Sequence, residues 1–315
     1  MNSGNGRVWG TRGCLALAVT VMLAAGGAAA QSDAPNTETN TVTVTGNRLP
    51  ADKLERVADA FVRTSGESSP SIDQLTRWRE AICPEAMNVT PEVAGFVTKR
   101  IRAVAQAAHA PTAEDGCKPN VQIIFTDNPQ ALVDKIAQKD PVLLGHHYAA
   151  QTQAVSTVNF PIQAWYVTAT SSGLVTRVDA TERLPNRADA SPSTDEPGAL
   201  HGMLGSRLGV KLESVFDHVL IVVNTDRIVG EKFGTVADYL AMLALTRPAL
   251  TDQCAPLSSI LDLFKENCAT TDKARALSPA DKAYLEGLYT MDPRALGTFQ
   301  RSSIVGHIVD SLGAP

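Results

Sequence analysis

Residues 1–30 constrain the folded part of this chain more than any other feature of its sequence. Arg7 and Arg12 precede an apolar run from Leu15 to Ala25, and an alanine run from Ala28 to Ala30 follows. This order is typical of a secretory signal peptide, and we expect cleavage after Ala30. The apolar run is shorter than the roughly 20 residues of a transmembrane helix, and no later segment is suitable either, so we expect no membrane span. The mature protein is therefore predicted to be periplasmic or secreted, where disulfides form.

The charge distribution limits the partners that a chain of this kind can bind. The formal net charge is −5, and acidic and basic residues are interspersed along the sequence. There is no basic stripe for nucleic acid and no polybasic segment for anionic lipid. We therefore expect neither nucleic acid nor a membrane surface as a partner.

The cysteines that follow the signal peptide predict disulfides. Cys83, Cys117, Cys254 and Cys268 are an even set in a compartment that permits oxidation. Of the possible pairings we favour Cys83 with Cys117 and Cys254 with Cys268, because each pair brackets one local unit. The alternative is a metal site with four thiolate ligands, for which no Cys-x-x-Cys pair is present.

Residues 31–50 are polar and poor in apolar groups, which predicts a disordered tether. Within it, residues 41–48 alternate in the manner of a strand and end in a turn signal. This segment resembles the short region near the mature start of TonB-dependent outer-membrane receptors. The resemblance implies partner binding by backbone pairing through Val42, Thr43, Val44 and Thr45. The alternative is a β-prone tether peptide without a partner.

Apolar periodicity divides the remaining chain into helices and strands. Apolar residues recur at helical spacing from Ala51, and Thr90-Pro91 is typical of a helix start. The helix that begins there is predicted to bury an apolar stripe of Val93, Phe96, Val97, Ile101, Val104 and Ala108. Compact apolar runs bounded by turn residues indicate buried strands. These patterns predict one α/β (α+β) domain over residues 51–315, with a mixed sheet of about four or five strands flanked by helices. The predicted strands are 121–126, 163–170, 174–178 and 215–223, and the predicted helices begin near residues 51, 91, 130, 234, 279 and 302.

The carboxyl-terminal part of the chain contains a distinctive order of predicted elements. A strand over 215–223 and a helix from Gly234 to Thr246 precede a connector with Ser258 to Leu261, and the segment Leu277 to Tyr289 follows. This order resembles metzincin-type zinc proteases, in which one helix carries His-Glu-x-x-His-x-x-Gly-x-x-His and a later helix often begins Leu-Ser-x-x-Asp. The resemblance implies a zincin-like scaffold; the alternative is an unrelated α/β domain.

The zinc ligands of that superfamily are absent from the matching positions. With Leu245 placed on the leucine after the family's glycine, the ligand positions fall on Ala237, Ala241 and Arg247, and the general base falls on Asp238. Alanine and a charged guanidinium donate no lone pair to zinc. The resemblance therefore implies a scaffold without metal catalysis, and we expect no cofactor.

Candidate catalytic residues are scattered, because no nucleophile elbow, phosphate loop or His-Glu-x-x-His occurs. Asp217 and His218 interrupt the apolar run of residues 215–223, which predicts that one end of this strand lies at the rim of the sheet. Together with Asp238 they are the candidates for a noncontiguous hydrolase site.

Two further residue pairs have both a functional and an ordinary interpretation. His146 and His147 are a candidate metal pair only in an irregular loop, because adjacent side chains diverge on a strand or a helix. Otherwise they are an ordinary loop pair. Trp165 and Tyr166 either line a ligand groove or pack their rings in the core.

The function that these patterns favour is binding rather than catalysis. We expect a non-catalytic binding or envelope-interaction protein on a degenerate protease-like scaffold, with an envelope protein or peptide as its partner. One alternative is a periplasmic hydrolase that uses Asp217, His218 and Asp238. A second is a partner of the TonB energising system that acts through Val42 to Thr45. The alternation of alanine-rich helices with short strands also resembles exported proteins of Gram-negative bacteria.

Overall fold

The described part of the chain contains six helices and five strands. The computed structural model describes residues 50–69, 71–145, 155–173, 176–179, 212–249, 251–268 and 273–313. The helices are α1 (Ala51–Ser65), α2 (Pro91–Ala107), α3 (Pro129–Lys139), α4 (Phe233–Leu245), α5 (Pro279–Thr290) and α6 (Gly297–Gly313). The strands are β1 (Pro84–Met87), β2 (Val121–Thr126), β3 (Ile162–Ser171), β4 (Thr176–Val178) and β5 (Glu213–Asn224). Short 3₁₀ turns cover Pro141–Leu144, Asp226–Ile228 and Ile260–Asp262.

The strands form one mixed sheet in the order β1-β2-β5-β3-β4. β1, β2 and β5 are parallel, whereas β3 runs antiparallel to both β5 and β4. Residues 219–223 of the central strand β5 are all buried, as expected for a strand that is covered on both faces. The predicted α+β class, with a mixed sheet flanked by helices, is confirmed.

The helices pack on both faces of this sheet. α2, which connects β1 to β2, and α4, which follows β5, contribute to the larger core cluster on one face. α3 and the turn Pro141–Leu144 supply Val133 and Leu144 to a smaller cluster on the other face. A helix that follows a parallel strand returns antiparallel to it, so α2 and α4 begin at the same edge of the sheet and run in the same direction. α6 packs against α1 and α5 and completes the larger cluster.

Local sequence explains where the helices begin and which sides they bury. The Thr90 hydroxyl accepts a hydrogen bond from the Val93 amide at the start of α2, as an N-cap does. α1 buries Leu54, Ala58, Phe61 and Val62, in agreement with the predicted apolar spacing. The predicted stripe of α2 is wrong at Phe96, whose residue surface is 47% exposed. The buried side of α2 is centred on Val97, Ile101 and Val104, and Phe96 lies beside this side rather than on it.

A β-bulge, and not a strand end, explains the polar pair in β5. Val167 pairs with His218 and Thr168 pairs with Phe216, so Asp217 is an extra residue between the paired positions. The prediction that Asp217 and His218 mark a strand end at the rim is therefore wrong. The strand continues through the bulge to Glu213, and Arg77 forms a parallel bridge to Val215.

Both predicted cysteine pairs lie at disulfide distance. The Cα atoms are 6.0 Å apart in Cys83–Cys117 and 5.6 Å apart in Cys254–Cys268. The first pair joins the segments that enter β1 and β2. The second closes the loop around the turn Ile260–Asp262. Each disulfide is local, as the bracketing argument predicts.

Candidate functional site

Asp238, which the zincin register places at the general-base position, is buried in an ion pair. Its Oδ1 accepts from Arg100 Nε at 2.5 Å, and its Oδ2 accepts from the Leu277 amide at 3.0 Å. The Asp238 side chain is 3% exposed and that of Arg100 is 42% exposed. The hydrogen bond to Asp238 raises the pKa of the Arg100 guanidinium. Both carboxylate oxygens therefore connect α4 to other elements, namely to α2 and to the segment before α5.

His218 and Asp238 lie on opposite faces of the sheet. His218 shares a face of β5 with Leu220 and Val222, which belong to the smaller core cluster. α4 packs on the other face. The structure therefore does not bring Asp217, His218 and Asp238 together into the hydrolase site that the sequence suggested. The reason is strand alternation together with the bulge, which local sequence does not show.

His218 forms a polar contact on the face of the sheet that carries the smaller core cluster. Its Nε2 lies 3.2 Å from Gln122 Oε1 on the neighbouring strand β2. Burial lowers the pKa of His218, and the nearby charges of Asp217 and Asp140 oppose this effect in part. A half-buried imidazole with a depressed pKa stays neutral near pH 7. This arrangement satisfies a polar group in the core layer.

The remaining zincin-register positions also have structural surroundings. Ala237 and Ala241 are fully buried in α4, and Arg247 Nε lies 3.6 Å from Glu67 Oε2. Among the residues that the structure describes, no group of three or more His, Cys, Asp or Glu side chains is placed to hold a metal ion. His146, His147 and the segment Val42 to Thr45 lie outside the described residues.

The Leu-Ser-x-x-Asp motif forms a helix cap with additional long-range bonds. Ser278 and Asp281 bond reciprocally as a capping box at the start of α5. The Asp281 carboxylate also accepts from the Ser259 hydroxyl at 2.6 Å and from the Ile260 amide at 2.8 Å. Burial raises the pKa of Asp281, whereas the bonds from Ser259, Ile260 and Ser278 act in the opposite direction. The motif thus fixes the connector before α5 to the helix, which gives it a structural role here.

Trp165 and Tyr166 pack in the two core layers. Trp165 belongs to the smaller cluster, and its Nε1 donates to the Val155 carbonyl at 2.5 Å. Tyr166 packs against the larger cluster, and its hydroxyl donates to the Leu243 carbonyl at 3.1 Å. The two rings point to opposite faces because they are adjacent on β3. The geometry matches core packing rather than a shared ligand groove.

A small, partly open cavity lies between the end of α1, the start of β3 and α4. Its volume is about 40 Å³, and its lining includes Ser65, Ile162, Tyr239 and Leu243. Ser65 Oγ is buried, with no hydrogen-bond partner among the described residues. A space of this size holds a water molecule or two rather than a substrate.

An open groove of about 600 Å³ runs between α1 and α6, and we call it the α1–α6 groove. The two helices are antiparallel: Gly313 at the end of α6 lies beside Leu54, and Arg301 donates to the Ser68 hydroxyl just beyond α1. Each wall is a stripe at helical spacing. The wall from α1 consists of Asp52, Glu55, Arg56 and Asp59, and the wall from α6 consists of Ser302, Val305, Gly306, Val309 and Asp310.

The acidic wall of the groove corresponds to a spacing pattern in the sequence rather than to a short motif. Asp52, Glu55 and Asp59 recur every three to four residues beside the buried stripe of α1. That spacing predicts an acidic helix face, but only the tertiary structure brings α6 alongside it. Comparison of the chain with protein-family models, with curated proteins and with solved structures gave no match. Among the described helices, none combines the length and apolar character that crossing a membrane requires.

Proposed function

We propose that this chain is an exported, non-catalytic binding protein of the bacterial envelope, and that it recognises a protein or peptide through the α1–α6 groove. The groove is the observation that carries the proposal, because it is open and formed by two helices. A groove between two helices is a common docking site for a peptide segment. The signal-peptide pattern and the two local disulfides support export.

The surroundings of the candidate catalytic residues also favour binding. The donors Arg100 and Leu277 N–H engage the carboxylate of Asp238. His218 is paired with Gln122 on the opposite face of the sheet. The contacts of Asp238 satisfy a buried carboxylate, and those of His218 satisfy a half-buried imidazole, as the hydrogen-bonding needs of a folded chain require.

Site-specific crosslinking tests the proposal. A photo-crosslinking amino acid replaces the exposed residue Ser302 in the groove, or the exposed residue Lys99 on α2 as a control. The tagged chain is expressed in its source bacterium and irradiated, and adducts are identified by mass spectrometry. We expect a defined protein adduct at position 302 that is missing at position 99.

A blocking variant provides the matched comparison. Gly306 lines the groove, and a Cβ atom there would meet no atom within 4 Å. The first side-chain atom of Gly306→Trp is therefore accommodated, and the indole ring should fill the groove, so the adduct at position 302 should disappear. Gly95→Trp on α2, where a Cβ also meets nothing within 4 Å, should leave it unchanged. Equal adducts at positions 302 and 99, or an adduct that survives Gly306→Trp, would contradict the proposal.

A further inference from the structure

We infer that the partner segment in the α1–α6 groove is a basic, amphipathic helix of another protein. This inference rests on the function proposed above and specifies the chemistry of the partner. It follows from the charge of the groove rim, from its apolar floor and from the geometry of its two walls.

The rim of the groove is acidic and incompletely paired. Four carboxylates line it against one guanidinium. Arg56 pairs with Asp52 at 3.1 Å, and Arg63 pairs with Asp59 at 2.9 Å. Within the described part of the chain, Glu55 and Asp310 form no ion pair. These two carboxylates would pair with lysine or arginine on an incoming segment, and their field would speed its association.

The floor of the groove is apolar and has room for side chains. Val305 and Val309 lie one turn apart on α6, with Gly306 between them. Val305 is buried, Val309 is partly buried and Gly306 is exposed, so Val309 and the open position at Gly306 are the parts of the floor that a partner can reach. Because Gly306 has no side chain, partner atoms can approach the α6 backbone there. Apolar side chains at i and i+3 or i+4 of a partner helix would cover this floor.

The walls have the length and direction that a helix requires. Asp52 and Asp59 are about 10 Å apart along α1 at the rise of an α-helix, and the α6 wall is of similar length. Two antiparallel helices form a groove in which a third helix packs by ridges and grooves. About two turns of a partner helix would therefore contact both walls.

The sign of the charge excludes other occupants. Nucleic acid and anionic lipid carry the same sign as the rim, so the groove repels them. A symmetric dimer through this groove would place each acidic stripe against its own copy, because a twofold interface pairs one patch with itself. Basic residues on a different protein complement the rim.

A pair of synthetic peptides tests the inference on the full mature chain. Both are helical, have about 18 residues and share one leucine-alanine face. One has lysine on both flanks and the other has glutamate. Fluorescence anisotropy is measured at about 50 mM and about 300 mM salt. We expect the lysine peptide to bind at least about tenfold more tightly than the glutamate peptide and to weaken as salt rises.

Charge reversal and groove blocking identify the site. Glu55→Lys with Asp310→Lys should weaken the lysine peptide about tenfold or more, and Gly306→Trp should abolish its binding. Asp127→Lys with Asp226→Lys makes the same charge change at two exposed positions outside the groove and should have a much smaller effect. Circular dichroism melts show whether each variant is folded. If Gly306→Trp does not fold, the variant Glu55→Lys with Asp310→Lys still tests the inference.

The outcomes separate this inference from the function on which it rests. Equal binding of both peptides, or equal weakening by the two charge variants, would overturn the basic-helix inference. If the basic-helix inference fails in this way but Gly306→Trp still removes the crosslinked partner, the proposed binding function remains supported. A dimer in sedimentation velocity that Gly306→Trp dissociates would assign the groove to a second copy and overturn the inference.

Discussion

Substitution of Asp238 tests whether this residue is structural, as its contacts indicate, or catalytic, as the zincin register suggests. The carboxylate joins α4 to α2 through Arg100 and to the segment before α5 through the Leu277 amide. Asp238→Ala removes both bonds. Asp238→Asn keeps one acceptor oxygen but loses the charge. Arg100→Met removes the cation and leaves the carboxylate in place.

The expected loss in the free energy of unfolding depends on how deeply the partners of Asp238 are buried. In Asp238→Ala the buried Leu277 amide loses its acceptor, which costs about 1–3 kcal/mol. Arg100 is 42% exposed, so water replaces its lost partner, and the ion pair adds only about 0–1 kcal/mol. We therefore expect Asp238→Ala to lower the free energy of unfolding by about 2–3 kcal/mol, and Asp238→Asn to lower it by about 1–2 kcal/mol. Arg100→Met should cost about 3 kcal/mol, because it leaves a carboxylate that is only 3% exposed without its cation.

Urea unfolding followed by fluorescence and by circular dichroism measures these differences. The double variant Asp238→Asn with Arg100→Met should cost at least about 1 kcal/mol less than the sum of the single variants, because they share one interaction. Asp226→Asn, at an exposed carboxylate, is the control and should change stability by less than about 0.5 kcal/mol. If Asp238→Ala is as stable as the wild type, or if the effects of the two single variants simply add, the structural interpretation is wrong.

Three further predictions test the packing and the charges. Cys83→Ser with Cys117→Ser should lower stability by about 4 kcal/mol and Cys254→Ser with Cys268→Ser by about 3 kcal/mol in urea titrations; peptide mapping that finds other pairings would contradict them. Because burial depresses the pKa of His218, its contribution to stability is present above its unfolded pKa of about 6.5 and is lost as the pH falls through the folded value. His218→Gln should therefore lose less stability than the wild type between about pH 7.5 and about pH 5, and an equal loss in both proteins would refute this. A Cβ on Gly297 would overlap the Asp73 carbonyl oxygen, whereas one on Gly306 meets nothing within 4 Å. In thermal melts Gly297→Ala should cost about 1–3 kcal/mol, while Gly306→Ala should be neutral or gain up to about 1 kcal/mol; the reverse order would show that α6 is packed differently.

Local patterns predict most of the elements because the forces that define them are local. The run over residues 121–126 forms β2 with the predicted bounds. The caps at Thr90 and Ser278 open α2 and α5 as their side-chain chemistry requires. The bulge at Asp217 could not be predicted from the sequence, because it depends on how β5 pairs with β3. The local sequence of β5 does not determine that pairing. The expectation for Phe96 is wrong because periodicity shows an apolar face but not how wide a face the neighbours cover.

The surroundings of the candidate site residues depend on contacts between distant parts of the chain. Arg100 and Asp238 are 138 residues apart, so the sequence offers no reason to pair them. An unpaired buried carboxylate is too costly to tolerate, and a buried Asp in an apolar helix therefore requires a donor somewhere in the fold. Applied to the apolar sequence of α4, this rule predicts a cation or amide partner for Asp238, and it favours a structural role over a catalytic one. The acidic stripe of α1 does not require such a structural role, because exposed charges need no partner within the protein. Among the residues that the structure describes, no cationic side chain pairs with Glu55 or Asp310, and for this reason the α1–α6 groove is a better candidate for recognition than the paired polar residues Asp238 and His218.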